Sequence, residues 1–584
     1  MRRTKIVCTL GPATGDKQTL KEMIQAGMDV ARFNFSHGSH AEHLDKIDKV
    51  KQIRRELGKP VALLLDTKGP EIRLGTFAGG KAFLKQGSTF VLTTREVEGG
   101  DGIAGVTYKN FPDDVEEGYK VLLDDGLIEL VVERIDGEDV VCRVENGGEI
   151  TDRKGVNLPG AVVGLPAISE KDREDILFGI KQQVDFIAAS FTRKPEDILD
   201  ILRILEENGG DWIRIIAKIE NQQGVDNLDG ILEVADGIMV ARGDLGVEIP
   251  IEGVPILQKE MIRKCNRAGK PVITATQMLD SMMRNPRPTR AEVADVANAV
   301  LDGTDAIMLS GETAAGRYPV EAVSTMAKVA ARAEESCEYG LVHNVDTQSG
   351  MNTVTNAVSY ATCTIAGELK ASAIITATQG GYTARMVSKY RPRSMVIATT
   401  PDERVQRQLS LSWGVYPLLA RTAENTDDTL EVSVKAARAE GLISEGDLVV
   451  LTAGVPTAVT GTTNLIRVHT VAKVLTQGMG VGNRSAYGKA VFVTGPGDGA
   501  EKFYPGNILV IKSGDRELVP YMEMASAIIA EEGGLTSHAA IVGLNLGKPT
   551  IVGVKDVFEL LDDGEIVTVD GTTGLIYRGI ATVM

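Results

Sequence analysis

The stretch IRIIAKIENQQGVDNLDGILEVADGIMVARGDLG, residues 213–246, holds two nearly continuous apolar runs, IRIIAKIE (213–220) and GIMVARGD (237–244), each ending in charged residues. Runs of Val, Ile, Ala and Leu of this length read as parallel strands buried on both faces. More of the same kind lie in the first 312 residues: TKIVCTLG (4–11), VARFNFSH (30–37), VALLLDT (61–67), DFIAASF (185–191), PVITAT (271–276) and AIMLSG (306–311). Most are separated by segments of helical period, such as DKQTLKEMIQAGM (16–28) and RAEVADVANAVLDG (290–303). Eight such units in one block predict an α/β fold built on a (β/α)8 TIM barrel.

The third unit is interrupted. Between Asp66 and Ala167 the chain is Gly-rich with short alternating segments, including KAFLKQGSTFVLTT (81–94) and YKVLLDDGLIELVVERI (119–135). Alternation of period two predicts a small antiparallel β-barrel inserted in a βα loop, where it would cover the catalytic face as a lid. Beyond about 339 the apolar runs SAIITAT (372–378), SMVIATT (394–400) and DLVVLTAG (447–454) predict a separate α/β domain. TQGMGVGNRSAYG (476–488) reads as a linker, and a last unit has strands at AVFVTG, NILVIKS and IVTVDGTTGLIY. The expected division is a barrel of residues 1–69 and 167–338, a lid of 70–166, an α/β regulatory domain of 339–473 and an extra C-terminal domain of 474–584.

With 584 residues, 43% hydrophobic and 24% charged, the chain has ordinary globular composition. The apolar run of the basic start MRRTKIVCTLGP ends at Gly11-Pro12, too soon for a secretory leader, and no long apolar stretch follows, so a cytoplasmic protein is expected. Cys8, Cys142, Cys265, Cys337 and Cys363 form no CxxC pair and read as reduced thiols, mostly in the core. A net charge of −17 argues against nucleic acid or an anionic membrane as partner, because phosphate backbones need clustered Lys and Arg. Small phosphate esters need only a local basic pocket.

In such barrels the working residues lie at the C-terminal ends of the strands. Those ends carry Arg32, Asn34 and Ser36; Asp66 and Thr67; Ser190; Lys218 and Glu220; Asp244; Thr276; and Glu312. A Lys and a Glu on one face of a buried strand end are costly unless they pair or bind something. A structural ion pair is the plain alternative, and the number of polar ends together favours an active site. Glu220 and Asp244 are hard oxygen donors on neighbouring strands and suit Mg²⁺ (or Mn²⁺) completed by water and a substrate oxygen. Asn34, Ser36, Asp66 and Thr67, with one carboxylate among neutral oxygens, suit a monovalent cation, although such residues also serve ordinary turns.

NFSHG (34–38), DTKGPEIR (66–73), KGVNLPG (154–160), IAKIEN (216–221), MVARGDLG (239–246), TATQMLDSM (274–282) and LSGETAAGRYPVEAV (309–323) together resemble the pyruvate kinases, in order, over about residues 1–473. Neither a GxxxxGK[ST] loop nor the HRD and DFG motifs of other kinases occurs. The resemblance implies transfer of the phosphoryl group of phosphoenolpyruvate to ADP, giving pyruvate and ATP in the last step of glycolysis. It implies Mg²⁺ at Glu220 and Asp244 and K⁺ at Asn34, Ser36, Asp66 and the Thr67 carbonyl, with Glu71 matching potassium-dependent members. Arg32 and Lys218 would flank the transferred group, and the amides of Gly243 and Asp244 would hold the substrate carboxylate. Thr276 would lie near the carbon that becomes methyl, and Asn34, Phe35, Ser36, His37, Arg73 and Lys154 would contact the nucleotide. A homotetramer is also implied.

TATQGGYTARMVSKYRPR (376–393) resembles the effector loop of that family and implies a phosphate cradle at Thr378, Gly380, Gly381 and Thr383. The second loop, AGVPTAVTGTTN (453–464), lacks the Trp and Arg of the animal pattern, which favours AMP or a sugar monophosphate over fructose 1,6-bisphosphate. EEGGLTSHAAIVGLNLGKPTIVG (531–553) resembles the phosphohistidine domain of phosphoenolpyruvate-utilising dikinases and synthases, with His538 at the carrier position. Gly543-Leu544 replaces the usual Ala-Arg and removes a phosphate-pairing charge. A dikinase-like phosphotransferase working through His538 is the alternative activity, but the missing Arg and the lack of a recognisable ATP-grasp domain to recharge the histidine favour a retired carrier kept as a structural or assembly module.

Overall fold

The structure, a computed structural model, describes residues 2–161, 163–337, 353–454, 462–495, 497–498 and 502–583. It divides into two compact units, one of residues up to 337 together with 402–417, the other of the remaining residues from 353 onward.

In the first unit all eight expected runs are strands: β1 (Lys5–Thr9), β2 (Val30–Asn34), β3 (Ala62–Asp66), β4 (Phe186–Ala189), β5 (Arg214–Ile219), β6 (Gly237–Ala241), β7 (Val272–Ala275) and β8 (Ala306–Leu309). They close into a parallel barrel. Both faces are buried, and the pleat divides each strand between two cores. Val30, Leu64 and Ile216 fill the barrel interior, while Ala31, Leu65 and Ala217 pack against the outer helices. The interior parity, carried on by two residues, sets Arg32, Asp66 and Lys218 inward at the barrel mouth. Helix Arg290–Leu301 begins where its period predicts because Thr289 and Glu292 form a reciprocal cap.

The barrel floor is filled by a segment from much later in the sequence. Within 402–417, Leu411 joins the interior core, Ser410 Oγ donates to the Pro60 carbonyl at 2.6 Å, and the Trp413 amide donates to Asp305. Arg407 pairs with the buried Asp185 at 2.8 Å. This segment lies inside the span read from sequence as the regulatory domain.

The inserted residues form a seven-stranded sheet in the order 72–73, 155–157, 120–123, 128–136, 139–144, 89–93, 103–105, plus a ribbon of 81–84 with 148–151. A bridge between Leu74 and Val106, with the Thr107 amide donating to the Arg73 carbonyl at 2.9 Å, joins the first and last strands and makes the small barrel.

In the second unit, strands 373–377, 395–400 and 448–453 lie parallel in a five-stranded sheet, as the apolar runs predict. The C-terminal part is an eight-stranded mixed sheet with helix His538–Asn545 after strand Ala527–Ala530. The Gly-rich 476–488 stretch is not a linker. It supplies strands Val474–Gln477, Met479–Val481 and the start of Ser485–Phe492. Its glycines permit close packing: a Cβ on Gly480 would stand 2.4 Å from the Gly571 carbonyl oxygen.

Candidate active site

Five strand-end side chains meet in one buried cluster. Arg32 Nε donates to Asp66 Oδ2 at 2.6 Å, and its Nη1 reaches Thr9 Oγ1 at 2.8 Å. Lys218 Nζ stands 3.2 Å from Asp66 Oδ1 and 2.9 Å from Glu220 Oε1, and donates to Ser190 Oγ at 2.8 Å. Ser190 Oγ in turn lies 2.7 Å from the Thr67 carbonyl and 3.1 Å from Asp66. Glu220 Oε2 accepts the Phe191 amide at 2.6 Å, with Phe191 held at a φ of 53° to present it.

The electrostatics follow from burial. Desolvation opposes the Asp66 charge, but Arg32 and Lys218 outweigh it and hold the carboxyl below the usual range. Lys218 loses hydration too, yet Asp66 and Glu220 keep it charged, with a raised pKa. Glu220 is pushed up to about 7, first by burial and then by the charge of Asp244, against the pull of Lys218. Its Oε1 makes the ion pair but no aligned hydrogen bond. A buried oxygen short of donors beside a second carboxylate fits a divalent cation. Among the described residues no group of three or more His, Cys, Asp or Glu side chains could hold a metal by itself, so such an ion would depend on water and substrate oxygens.

Asp244 sits in the first turn of helix Arg242–Glu248. The Gly243 amide donates to Thr276 Oγ1 at 2.8 Å, and Thr276 is held at a φ of 69°, strained for a β-branched residue. Sequence reasoning missed what holds it: the Arg242 guanidinium bonds the Thr276 carbonyl at 2.7 Å and pairs with Asp295. Between barrel and lid lies a cavity of about 630 Å³ lined by Arg73, Asp124, Asp125, Lys154, Asp244 and Glu248, among others. Arg73 pairs with Glu71 at 2.6 Å and Lys154 with Asp124 at 2.7 Å.

Other expected site residues make contacts of their own, Asn34 opposite Asp66 in the strand register. Asn34 Oδ1 accepts the Ser36 amide at 3.1 Å, an ordinary turn bond. The Phe35 ring is buried and stacked on His43, 4.1 Å between centroids, which leaves the backbone of this residue for the expected nucleotide contact. His37 is exposed, and its carbonyl is held by His43 Nε2 at 2.8 Å. None of residues 34–37 is among those lining the cavity. Glu312 is outside the cluster because its carboxylate accepts the Leu279 and Ser310 amides. Thr378, Gly380 and Thr383 line a separate pocket of about 70 Å³ with Arg421. Gly381 is not among its lining residues; with a φ of 77°, it starts the short helix that follows. Residues 455–461 of the second effector loop lie outside the described residues. His538 opens its helix behind Ser537, whose side chain accepts the Ala540 amide, and its Nδ1 is buried without a hydrogen bond. No helix of the described residues is long and apolar enough to cross a membrane. Cys8, Cys142, Cys265 and Cys363 are buried free thiols, and Cys337 is partly exposed.

A closed parallel barrel with a buried cluster of two cations and two carboxylates at its strand ends, beneath a small β-barrel, defines a (β/α)8-barrel enzyme. Residues 1–323 match the family described as pyruvate kinase, barrel domain, and residues 356–469 its alpha/beta domain. The chain belongs to the pyruvate kinase family and is an enzyme of that family. It is 53% identical to the pyruvate kinase of Geobacillus stearothermophilus and 50% to that of Bacillus licheniformis, each over 100% of both chains. A solved pyruvate kinase of Cryptosporidium parvum, 42% identical, superposes with a TM-score of 0.77 over 80% of this chain and 96% of that one. Residues 503–574 match the mobile domain of PEP-utilising enzymes.

Proposed function

We propose that this chain transfers the phosphoryl group of phosphoenolpyruvate to ADP in the cavity between barrel and lid. The observation that carries the reading is the buried Arg32–Asp66–Lys218–Glu220 cluster beside Asp244. Phosphoryl transfer asks little covalent chemistry of a protein and much charge neutralisation, which preorganised cations in a dry site supply. Arg32 and Lys218 steady the group in flight, and the Asp244 and Gly243 amides receive the substrate carboxylate at a helix start, the Gly243 N–H exchanging Thr276 Oγ1 for it. Arg73 and Lys154 face the nucleotide from the lid, and the backbone of residues 34–37 would meet only a part of it that extends beyond the lining of that cavity. Thr276 orders the water that protonates the enolate as pyruvate forms. Glu220 and Asp244 would hold Mg²⁺ or Mn²⁺, and Asn34, Ser36, Asp66 and the Thr67 carbonyl K⁺, which together neutralise phosphate charge when bound.

A phosphorylated effector, AMP or a sugar monophosphate rather than fructose 1,6-bisphosphate, is assigned to the pocket at Thr378, Gly380 and Thr383. The assembly is read as a cytoplasmic homotetramer with the four-domain division given above. The C-terminal domain is read as a retired carrier, because Leu544 stands where a phosphate-pairing Arg is expected. A lactate dehydrogenase-coupled assay with ADP, scanned over phosphate esters, tests these readings. Pyruvate and ATP formed with ADP as the acceptor support direct transfer, while turnover that fails with ADP and requires AMP together with phosphate or pyrophosphate would transfer the role to His538.

A further inference from the structure

Residues 155–157 form a short lid strand between 72–73 and 120–123. Its last residue, Asn157, donates from Nδ2 to Glu248 Oε1 at 2.8 Å. Glu248 closes helix Arg242–Glu248, whose first turn carries Gly243 and Asp244. One residue earlier, Val247 faces the lid turn 124–127: a Cβ on Gly126 would lie 3.7 Å from Val247 Cγ1. The lid therefore meets this helix at two consecutive residues from two of its own elements.

The helix is a short rigid body, rising ~1.5 Å per residue, and Leu245 anchors it in the barrel core. A displacement at Glu248 is carried to Asp244. On the lid side, Lys154 stands three residues before Asn157 and lines the same cavity as Asp244. Burial raises the Glu248 pKa, and the Asn157 amide opposes this by stabilising the charged form. Both residues line that cavity, and neither holds the transferred group or a metal in the reading above.

We propose that the Asn157–Glu248 hydrogen bond is a latch that sets the closed register of the lid, aligning Lys154 on the nucleotide side with the Gly243–Asp244 turn on the phosphoenolpyruvate side. Both are positioning residues, and the inference rests on the functional reading above.

The test uses the full chain with Asn157→Ala, Glu248→Ala, the double variant and Glu248→Gln. Losing a hydrogen bond to a charged group should lower kcat/KM for ADP about tenfold in each alanine variant. The double variant should be no worse than the poorer single, since both remove one interaction. Glu248→Gln keeps the acceptor oxygen and should stay within about threefold of native. Amide exchange over residues 120–128 and 154–161 should accelerate in both alanine variants, a change that a passive surface contact would not produce. Additive losses, or native-like kinetics in both alanine variants, would overturn the latch. Should Glu248→Ala fail to fold, Asn157→Ala with its exchange readout decides alone. Lys218→Met separates the two readings: if it is fully active the site is misassigned, whereas if it is inactive beside native-like latch variants only the latch fails.

Discussion

Replacing Lys218 by Met removes one buried cation from between two carboxylates and a hydroxyl, at 3.2, 2.9 and 2.8 Å. Asp66 keeps Arg32 at 2.6 Å and remains neutralised. Glu220 keeps only the Phe191 amide and the repulsion of Asp244. Two losses should follow, on different scales. A preorganised charge at a developing anion is worth about 3–4 kcal/mol, so kcat should fall by about 10²–10³. Breaking a buried pair costs about 3–5 kcal/mol when the orphan stays charged. Glu220 escapes part of this by taking up a proton, since its carboxyl stands at about 7 even with Lys218 present. The sign is that of an acid with a raised native pKa. Its stabilising contribution is complete below the unfolded value and is lost as pH rises through the native one. The gap in Tm between native and variant should thus be small near pH 5 and widen toward pH 8. The coupled assay with saturating phosphoenolpyruvate, beside melts across that range, reads both. A variant retaining kcat within tenfold would refute the placement of Lys218 at the transferred group. A Tm gap that narrows with rising pH would refute the account of Glu220.

Three further outcomes are expected. In Mg²⁺ with tetramethylammonium as the only monovalent cation, activity should be low and recover on adding K⁺; equal rates would remove the Asn34, Ser36, Asp66 and Thr67 site. Thr383→Glu sets a charge in the pocket beside Thr378 and Gly380, and should abolish the fall in phosphoenolpyruvate KM that an active ester produces; an unchanged response would place the effector elsewhere. His538→Ala should turn over normally with ADP, and mass spectrometry in mild alkali after incubation with phosphoenolpyruvate should find no phosphate on the native His538. Stoichiometric phosphate there would overturn the retired-carrier reading.

The barrel was legible because double-sided burial writes itself as unbroken apolar runs, and the mouth because charges at the ends of such runs have no other place to go. Three things were not legible. The 402–417 segment is ordinary in composition, and its place in the barrel floor is set by contacts with Pro60, Asp185 and Asp305, far away in sequence. Gly478 and Gly480 read as flexible because sequence does not distinguish a glycine that bends from one that admits a neighbouring backbone. Arg242, though inside a quoted motif, gave no sign that it supports Thr276, since its partner Asp295 lies on another helix. Phe35 sits amid polar residues at a strand end, and the pleat turns its ring into the core, a placement that its neighbours in sequence do not announce.

The borrowed barrel floor also has a consequence in time. A ribosome delivers the last barrel strand by Leu309, yet Leu411, which fills the interior from below, is still about a hundred residues from being made. At roughly 5–20 residues per second that is a wait of about 5–20 s. Throughout it the nascent strands have apolar interior positions without their plug, and Asp185 has no Arg407. Release of the chain at any point before residue 417 would therefore free a barrel that is complete in strands and incomplete in core, a natural substrate for chaperones and proteases.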